Sequence, residues 1–169
     1  MEKLTLLSSE KLVKVNKLIL DKMDSNIPLI KEIAEYILSS GGKRIRPLLA
    51  LSSAKLLKYD GNDKDVCLAS AVELIHTATL LHDDVIDKSK KRRNNKTAND
   101  IWGNEATILV GDFLFSRAFE LMVETNSLDI LKTLSQASCK ISEGEMNQLI
   151  SQNNPNTTVK NYIEIIKGK

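Results

Sequence analysis

Residues 66–81 read VCLASAVELIHTATLL, a stretch that is apolar almost all round a helix rather than on one face. A helix of that kind is stable only when other elements enclose it on most sides. The chain therefore has to supply a surrounding set of helices, and its remaining sequence does so. Apolar residues recur at spacings of three and four, and seven glycines and three prolines give little punctuation. Residues 9–23 place Leu12, Val13, Val15, Leu18, Ile19 and Met23 on one face of a first helix. A second is expected over 28–39, with Pro28 in its first turn and Gly41-Gly42 closing it. Pro47 opens a third that runs to about Leu57, and YDGND ends it. The enclosed helix runs from about Asp63 to Asp87, with further helices near 104–125 and 127–152. The turn NNPNT precedes a last helix, N-capped by Asn156 or Thr157 and continuing through Lys169. The strand-like run TILVG sits inside a helical pattern. These signals imply an all-α fold of seven or more helices, read as a single domain over 1–169 whose last helix is interrupted.

Several classes of function are excluded by composition. A formal net charge of +2 is too small for nucleic-acid binding by bulk electrostatics. No apolar run reaches the roughly 18 residues of a membrane span, and MEKLTLLSSEKLVKV lacks the apolar core of a signal peptide. Cys67 and Cys139 have no metal-ligand spacing and read as two reduced, buried thiols. A soluble, cytoplasmic protein is the expectation, and local charge placement has to carry its function.

The enclosed helix ends in LLHDDVID. Asp83 and Asp87 are four apart, and Asp84 and Asp87 three apart, so the three carboxylates can converge within one turn. Acidic groups at a helix C-terminus oppose its dipole, a local cost that marks a functional cluster. Mg²⁺ is held by one or two carboxylates, waters and substrate phosphates, which D-D-x-x-D suits. A second constellation, GGKRIRP at 41–47, sets Lys43, Arg44 and Arg46 beside two glycines and a helix N-terminus, an arrangement that binds anions. A third, KKRR at 90–93, follows Asp87 closely. Cations that neutralised the aspartates directly would weaken metal binding, so a diphosphate between the two is the expected mediator. His76, two turns before Asp83, lies on roughly the same face and is a candidate phosphate donor. Ala71, Ile75, Ala78 and Thr79 are expected to form an apolar tunnel wall beneath, for a greasy substrate bearing phosphates. Trp102 reads as a packing residue beside a turn.

GGKRIRP, LLHDDVID, the arginine pair and GDFLFSRAF, in this order and at these separations, resemble the first half of a trans-polyprenyl diphosphate synthase. ELIHTATLLHDDVID and TILVGDF are most similar to the bacterial octaprenyl diphosphate synthases within that family. The resemblance implies an isoprenoid-synthase helical bundle around a central cavity, usually homodimeric. Its substrates are an allylic diphosphate and isopentenyl diphosphate. By the same resemblance, Asp83 and Asp87 are the principal Mg²⁺ ligands, with Asp84 supporting. Lys43, Arg46, His76 and Arg93 hold isopentenyl diphosphate, and Arg92 and Lys169 meet the allylic diphosphate. Glu143, Glu145 and Gln148 line the cavity. Ala78 and Thr79, five and four positions before Asp83, set the product length. Neither is aromatic, which implies a product beyond the farnesyl stage, for a quinone side chain. Asn94 stands where the family usually has glycine after the arginine pair, and asparagine tolerates the left-handed backbone that turn needs. The family's second aspartate-rich motif is missing, so the chain reads as an N-terminal portion truncated on its C-terminal side. Two alternatives are a non-catalytic product, or subunit that needs a partner carrying the second motif, and a terpene cyclase-like protein. The two-sided basic set Lys43, Arg46, Arg92 and Arg93 favours coupling of two diphosphates over cyclisation.

Overall fold

A computed structural model describes residues 2–168 of the chain, with side chains from Ser8 onward. Two compact units are formed, Met1–Asn126 and Ser127–Lys169. Among the described residues the first holds helices α1 (Glu2–Lys22), α2 (Pro28–Ser39), α3 (Ile45–Leu56), α4 (Lys64–Ile86), α5 (Ala98–Trp102) and α6 (Asn104–Glu124). Between α4 and α5 lies a short antiparallel hairpin of β1 (Lys91–Arg92) and β2 (Asn95–Lys96).

The enclosed helix is α4. It packs on α1, α3, α5 and α6, and its Val66, Ala69, Ala71, Leu74, Ile75, Ala78 and Leu81 are buried. Fully buried Val, Leu and Ile side chains contribute about 1.5–3 kcal/mol each, so α4 carries much of the unit's core together with Leu114, Leu121 and Met122 of α6. From α1 the buried seam is Val15, Ile19 and Met23, four residues apart; Val13, expected on the same face, is exposed because it falls off that seam. Lys11 and Lys14 tie α1 to the start of α4 through Asp65 (2.5 Å) and Asp63 (2.6 Å). Gly111 lets α6 close on α4, since a Cβ there would lie 2.3 Å from Nε2 of His82.

Pro28 begins α2, and Gly41, at φ +80°, follows its end. α3 starts two residues before Pro47 rather than at it. The segment expected as a loop after Asp87 contains the hairpin and α5, whose Trp102 meets Tyr36 edge-on at 5.1 Å. The tunnel-wall expectation is revised for three residues: Ala71, Ile75 and Ala78 are buried inside this unit, covered by the helices that pack on α4, and only Thr79 is half-exposed.

The second unit consists of α7 (Leu128–Ser151) and α8 (Val159–Gly168). Ser127 caps α7, its hydroxyl accepting from the Ile130 amide at 3.3 Å. At α8 the cap is Thr158, one residue past the expected Thr157, accepting from the Asn161 amide at 3.2 Å. The helices touch backbone to backbone at Gly144 and Gly168: a Cβ on Gly144 would sit 2.7 Å from the Gly168 carbonyl carbon. Both cysteines are free thiols, Cys67 partly buried and Cys139 exposed, against the expectation that both are buried. α7 buries only Gly144 among its described residues, which leaves Cys139 on an open face.

Candidate diphosphate and metal site

The last turn of α4 carries the aspartates. The helix stops in a Schellman arrangement: the Lys88 amide donates to Val85 O at 3.1 Å and the Ser89 amide to Asp84 O at 2.9 Å, with Lys88 left-handed at φ 51°. The chain then reverses. Thr97 Oγ1 and Asn99 Nδ2 both donate to Ser89 O, at 2.6 and 3.1 Å, which closes the base of the β1–β2 excursion. Lys91 pairs with Lys96 and Arg92 with Asn95, leaving Arg93-Asn94 as a two-residue turn with φ of 51° and 71°. Two positive φ values are what the right-handed twist of a hairpin asks of so short a turn. Asn94 thus adopts the left-handed backbone expected of it. Tyr36 of α2 donates its hydroxyl to Lys96 O at 2.8 Å and anchors the hairpin to the body of the unit.

This reversal brings Arg92 back over α4. Its Nε lies 3.1 and 3.0 Å from the two carboxylate oxygens of Asp84, and its Nη2 2.9 Å from Oδ1. The Asp84 hydrogen bonds raise the Arg92 pKa further above its ordinary value, against burial, with Asp84, Asp83 and Asp87 adding charge attraction. The expected separation of aspartates from arginines by a diphosphate therefore does not hold for this pair. Nor do the three carboxylates converge: among the described residues no three His, Cys, Asp or Glu side chains group closely enough to hold a metal ion. The cause is helical phase. Asp84 follows Asp83 by about 100° of rotation, which turns it inward to 5% exposure, while Asp83 is half-buried and Asp87 exposed.

The GGKRIRP segment divides in the same way. Arg44, left-handed at φ 46° where α3 begins, turns inward and donates from Nη1 to Oε1 of Glu73 at 2.9 Å and from Nε to Asn16 at 3.3 Å. Glu73 is itself 5% exposed, so Arg44 is held in a largely buried ion pair while lining the same cavity as Lys43 and Arg46. Lys43 and Arg46 remain exposed. Together with Ser40, Gly41, Gly42, His76 and Arg93 they line a cavity of about 530 Å³. Arg93 donates from Nη1 to the Gly41 carbonyl, linking the hairpin turn to the glycine pair. Burial first, then the charges of Arg46, Arg93 and Arg92, lower the His76 pKa from 6.5 to about 4. A neutral imidazole among guanidinium groups presents one donor and one acceptor at pH 7. A smaller pocket beside it is lined by His76, Asp84, Arg92 and Arg93 as well.

Five of the expected residues, Lys43, Arg46, His76, Arg92 and Arg93, thus stand around two adjoining pockets on one unit, with the aspartates at the end of the same helix. Glu143, Glu145 and Gln148 lie on α7 of the other unit, and Lys169 lies outside the described residues. Glu73, Asn16 and Tyr36 were not expected. Glu73 had a signal: one carboxylate within SAVELIH, otherwise apolar, demands a cation.

The Polyprenyl synthetase family profile matches residues 27–169. The chain belongs to the polyprenyl synthetase family. Over all 169 residues it is 45% identical to the octaprenyl diphosphate synthase of Escherichia coli, covering 52% of that protein. A solved polyprenyl synthase from Caulobacter crescentus, in complex with calcium and isoprenyl diphosphate, superposes with a TM-score of 0.95 at 48% identity, over 99% of this chain and 51% of that one. A decaprenyl diphosphate synthase structure from Rhodobacter capsulatus gives a TM-score of 0.95 at 44% identity, over 99% and 52%. This polyprenyl synthetase chain has the all-α fold of the isoprenyl synthases and spans about half the length of the curated relatives it matches. No helix among its described residues is long and apolar enough to cross a membrane.

Proposed function

We propose that the chain belongs to an enzyme that elongates prenyl diphosphates, joining an allylic diphosphate to isopentenyl diphosphate. The observation that carries this is the cavity bounded by Lys43, Arg46, His76 and Arg93 next to Arg92 and the acidic end of α4. Cations and an imidazole around a cleft of this size suit a diphosphate, and the carboxylates beside them suit a divalent cation that shares its oxygens. Asp83 and Asp87, four residues apart on the outward side of the last turn, fit as the two carboxylates of a Mg²⁺ site. Bound there, the ion would supply charge stabilisation to a departing diphosphate. The carbon–oxygen bond of the allylic substrate breaks and diphosphate leaves with the electron pair. The isopentenyl double bond attacks the allylic cation, and a proton is lost.

In this reading Lys43, Arg46, Arg93 and neutral His76 hold isopentenyl diphosphate, while Arg92 and Lys169 meet the allylic diphosphate. Residues 1–169 are read together as one synthase domain. Two copies assemble, in the cytoplasm. The small, non-aromatic Thr79 supports a long product, of the kind attached to quinones, and the octaprenyl and decaprenyl names of its relatives agree. Ala78 is fully buried, so Thr79→Phe, at a half-exposed position, is the cleaner test of length. Shorter products are expected, and an unchanged product distribution would count against this role.

The deciding assay incubates the chain with Mg²⁺, farnesyl diphosphate and labelled isopentenyl diphosphate. Extended, labelled prenyl diphosphate is expected, and its loss in Asp83→Ala and Arg93→Gln. Absence of product together with absence of Mg²⁺-dependent pyrophosphate binding would overturn this reading.

A further inference from the structure

We propose that Asp84 is a positioning residue for Arg92 and not a third metal ligand, an inference that rests on the diphosphate reading above. A guanidinium has five N–H donors. Asp84 takes the Nε–H and Nη2 side of Arg92 through contacts of 2.9–3.1 Å, which leaves the Nη1 end and one Nη2 hydrogen for a second anion. Such a two-oxygen grip fixes the plane of the guanidinium as well as its location. Arg92 needs that grip because of where it sits. It ends a two-residue strand, next to a turn in which Arg93 and Asn94 are both left-handed, and its backbone alone gives it little stiffness. Asp84 is suited to the task by its surroundings: it is 5% exposed, the third-from-last residue of the longest helix of its unit, and its own carbonyl accepts from Ser89 at the start of the hairpin loop. One residue therefore fixes both the root of the excursion and the side chain that returns from it. Asp83 and Asp87, on the other phase of the helix, are the carboxylates this reading gives to a cation. The D-D-x-x-D motif then has two jobs, with its first and last aspartates serving the metal and its middle one aiming an arginine at the diphosphate that the metal shares.

The test separates those jobs in the intact chain. Isothermal titration with inorganic pyrophosphate in Mg²⁺ reads the arginine, and Mn²⁺ alone followed by electron paramagnetic resonance reads the metal. Asp84→Asn is expected to weaken pyrophosphate binding about tenfold and to leave Mn²⁺ affinity within about twofold, a coupling in the range of contacting charged pairs. Asp83→Asn is expected to weaken Mn²⁺ binding by about tenfold or more. In an Arg92→Gln background the effect of Asp84→Asn on pyrophosphate should fall below about twofold. A loss of Mn²⁺ affinity in Asp84→Asn as large as in Asp83→Asn overturns the proposal, as does an equal loss of pyrophosphate binding with and without Arg92. If Asp84→Asn does not fold, Asp84→Glu keeps the charge but displaces the carboxylate, and the same dependence on Arg92 is required of it. Failure of the unaltered chain to bind pyrophosphate with Mg²⁺ defeats the diphosphate reading itself; binding without Asp84–Arg92 coupling defeats only this assignment.

Discussion

His76 sits where burial and three guanidinium groups all act against its protonation, so its pKa falls to about 4. The consequence for stability follows from linkage. The unfolded chain, with an ordinary histidine near 6.5, takes up a proton that the folded chain refuses. Stability therefore falls as pH drops below about 6.5, and the loss from this group levels off below about 4. Urea denaturation of the wild type and of His76→Gln between pH 4 and pH 7 should show the two diverge on acidification and run parallel above neutrality; parallel behaviour throughout would remove the effect. Proton NMR of the imidazole gives the site directly, and Arg46→Met, which removes the largest of the three charge contributions, should raise the measured value. A bound diphosphate is expected to move it the same way, by placing negative charge beside the guanidinium groups that now lower it. The residues that Arg44 and Arg92 choose as partners belong to this scale too. Charge and spacing identified the arginines as anion binders. Whether each faces the cavity or turns inward depends on helical phase and on a loop that folds back, which a list of basic residues does not carry.

The hairpin makes the same point for elements. KRRNNK has no alternation of apolar and polar residues to announce a strand. It pairs because Arg93 and Asn94 accept positive φ and because Tyr36, Thr97 and Asn99 tie down its ends. Most helices, by contrast, were legible to within a residue or two, since apolar spacing, Pro28, Gly41 and the YDGND turn mark them; α1 begins seven residues before its expected start, and the short α5 lies in a stretch expected as loop. Asn94→Val should cost about 1–2 kcal/mol at the turn by forcing a β-branched residue into the left-handed region, and Asn94→Gly should be tolerated; amide exchange across 91–96 reads both. A hairpin as well protected in Asn94→Val as in the wild type would show that the turn does not hold it. In the other unit, Gly144→Ala adds a methyl that would lie 2.7–3.0 Å from three backbone atoms of Gly168. Overpacking against backbone costs about 1–3 kcal/mol, more than the ~1 kcal/mol gained from helix propensity. Because Gly168 closes α8, the expected readout is faster exchange in that helix's last turn, with α4 and α6 unaffected. Unchanged protection of α8 would mean that the two glycines do not form the contact that holds it.

At the scale of the whole chain the two units have unequal means of support. Every buried apolar side chain among the described residues belongs to the first unit, from Val15 to Met122. The second buries only Gly144 and leaves Met146, Leu149, Ile150, Tyr162, Ile163 and Ile166 exposed. Helices without a core of their own are marginal even when capped, and amide protection follows buried contacts rather than helical content. Hydrogen exchange of the chain should therefore show α4 and α6 exchanging through the highest-energy openings and α7 and α8 through much lower ones, with denaturant unfolding in two steps instead of one. Mg²⁺ with pyrophosphate then discriminates between the units. A ligand that binds only the folded form stabilises it by about 2.7 kcal/mol at a hundred times its dissociation constant, and every described residue of the proposed site lies in the first unit. Added together, the two are expected to slow exchange in α4, in the hairpin and across 40–46, and to leave α7 unchanged. Neither alone should reproduce this, because in the proposed site the cations of the loop and hairpin would meet the aspartates' ion only through the diphosphate. Protection of α7 and α8 equal to that of α4 before any ligand is added would refute the unequal division. A response to Mg²⁺ as large without pyrophosphate as with it would instead refute the shared site.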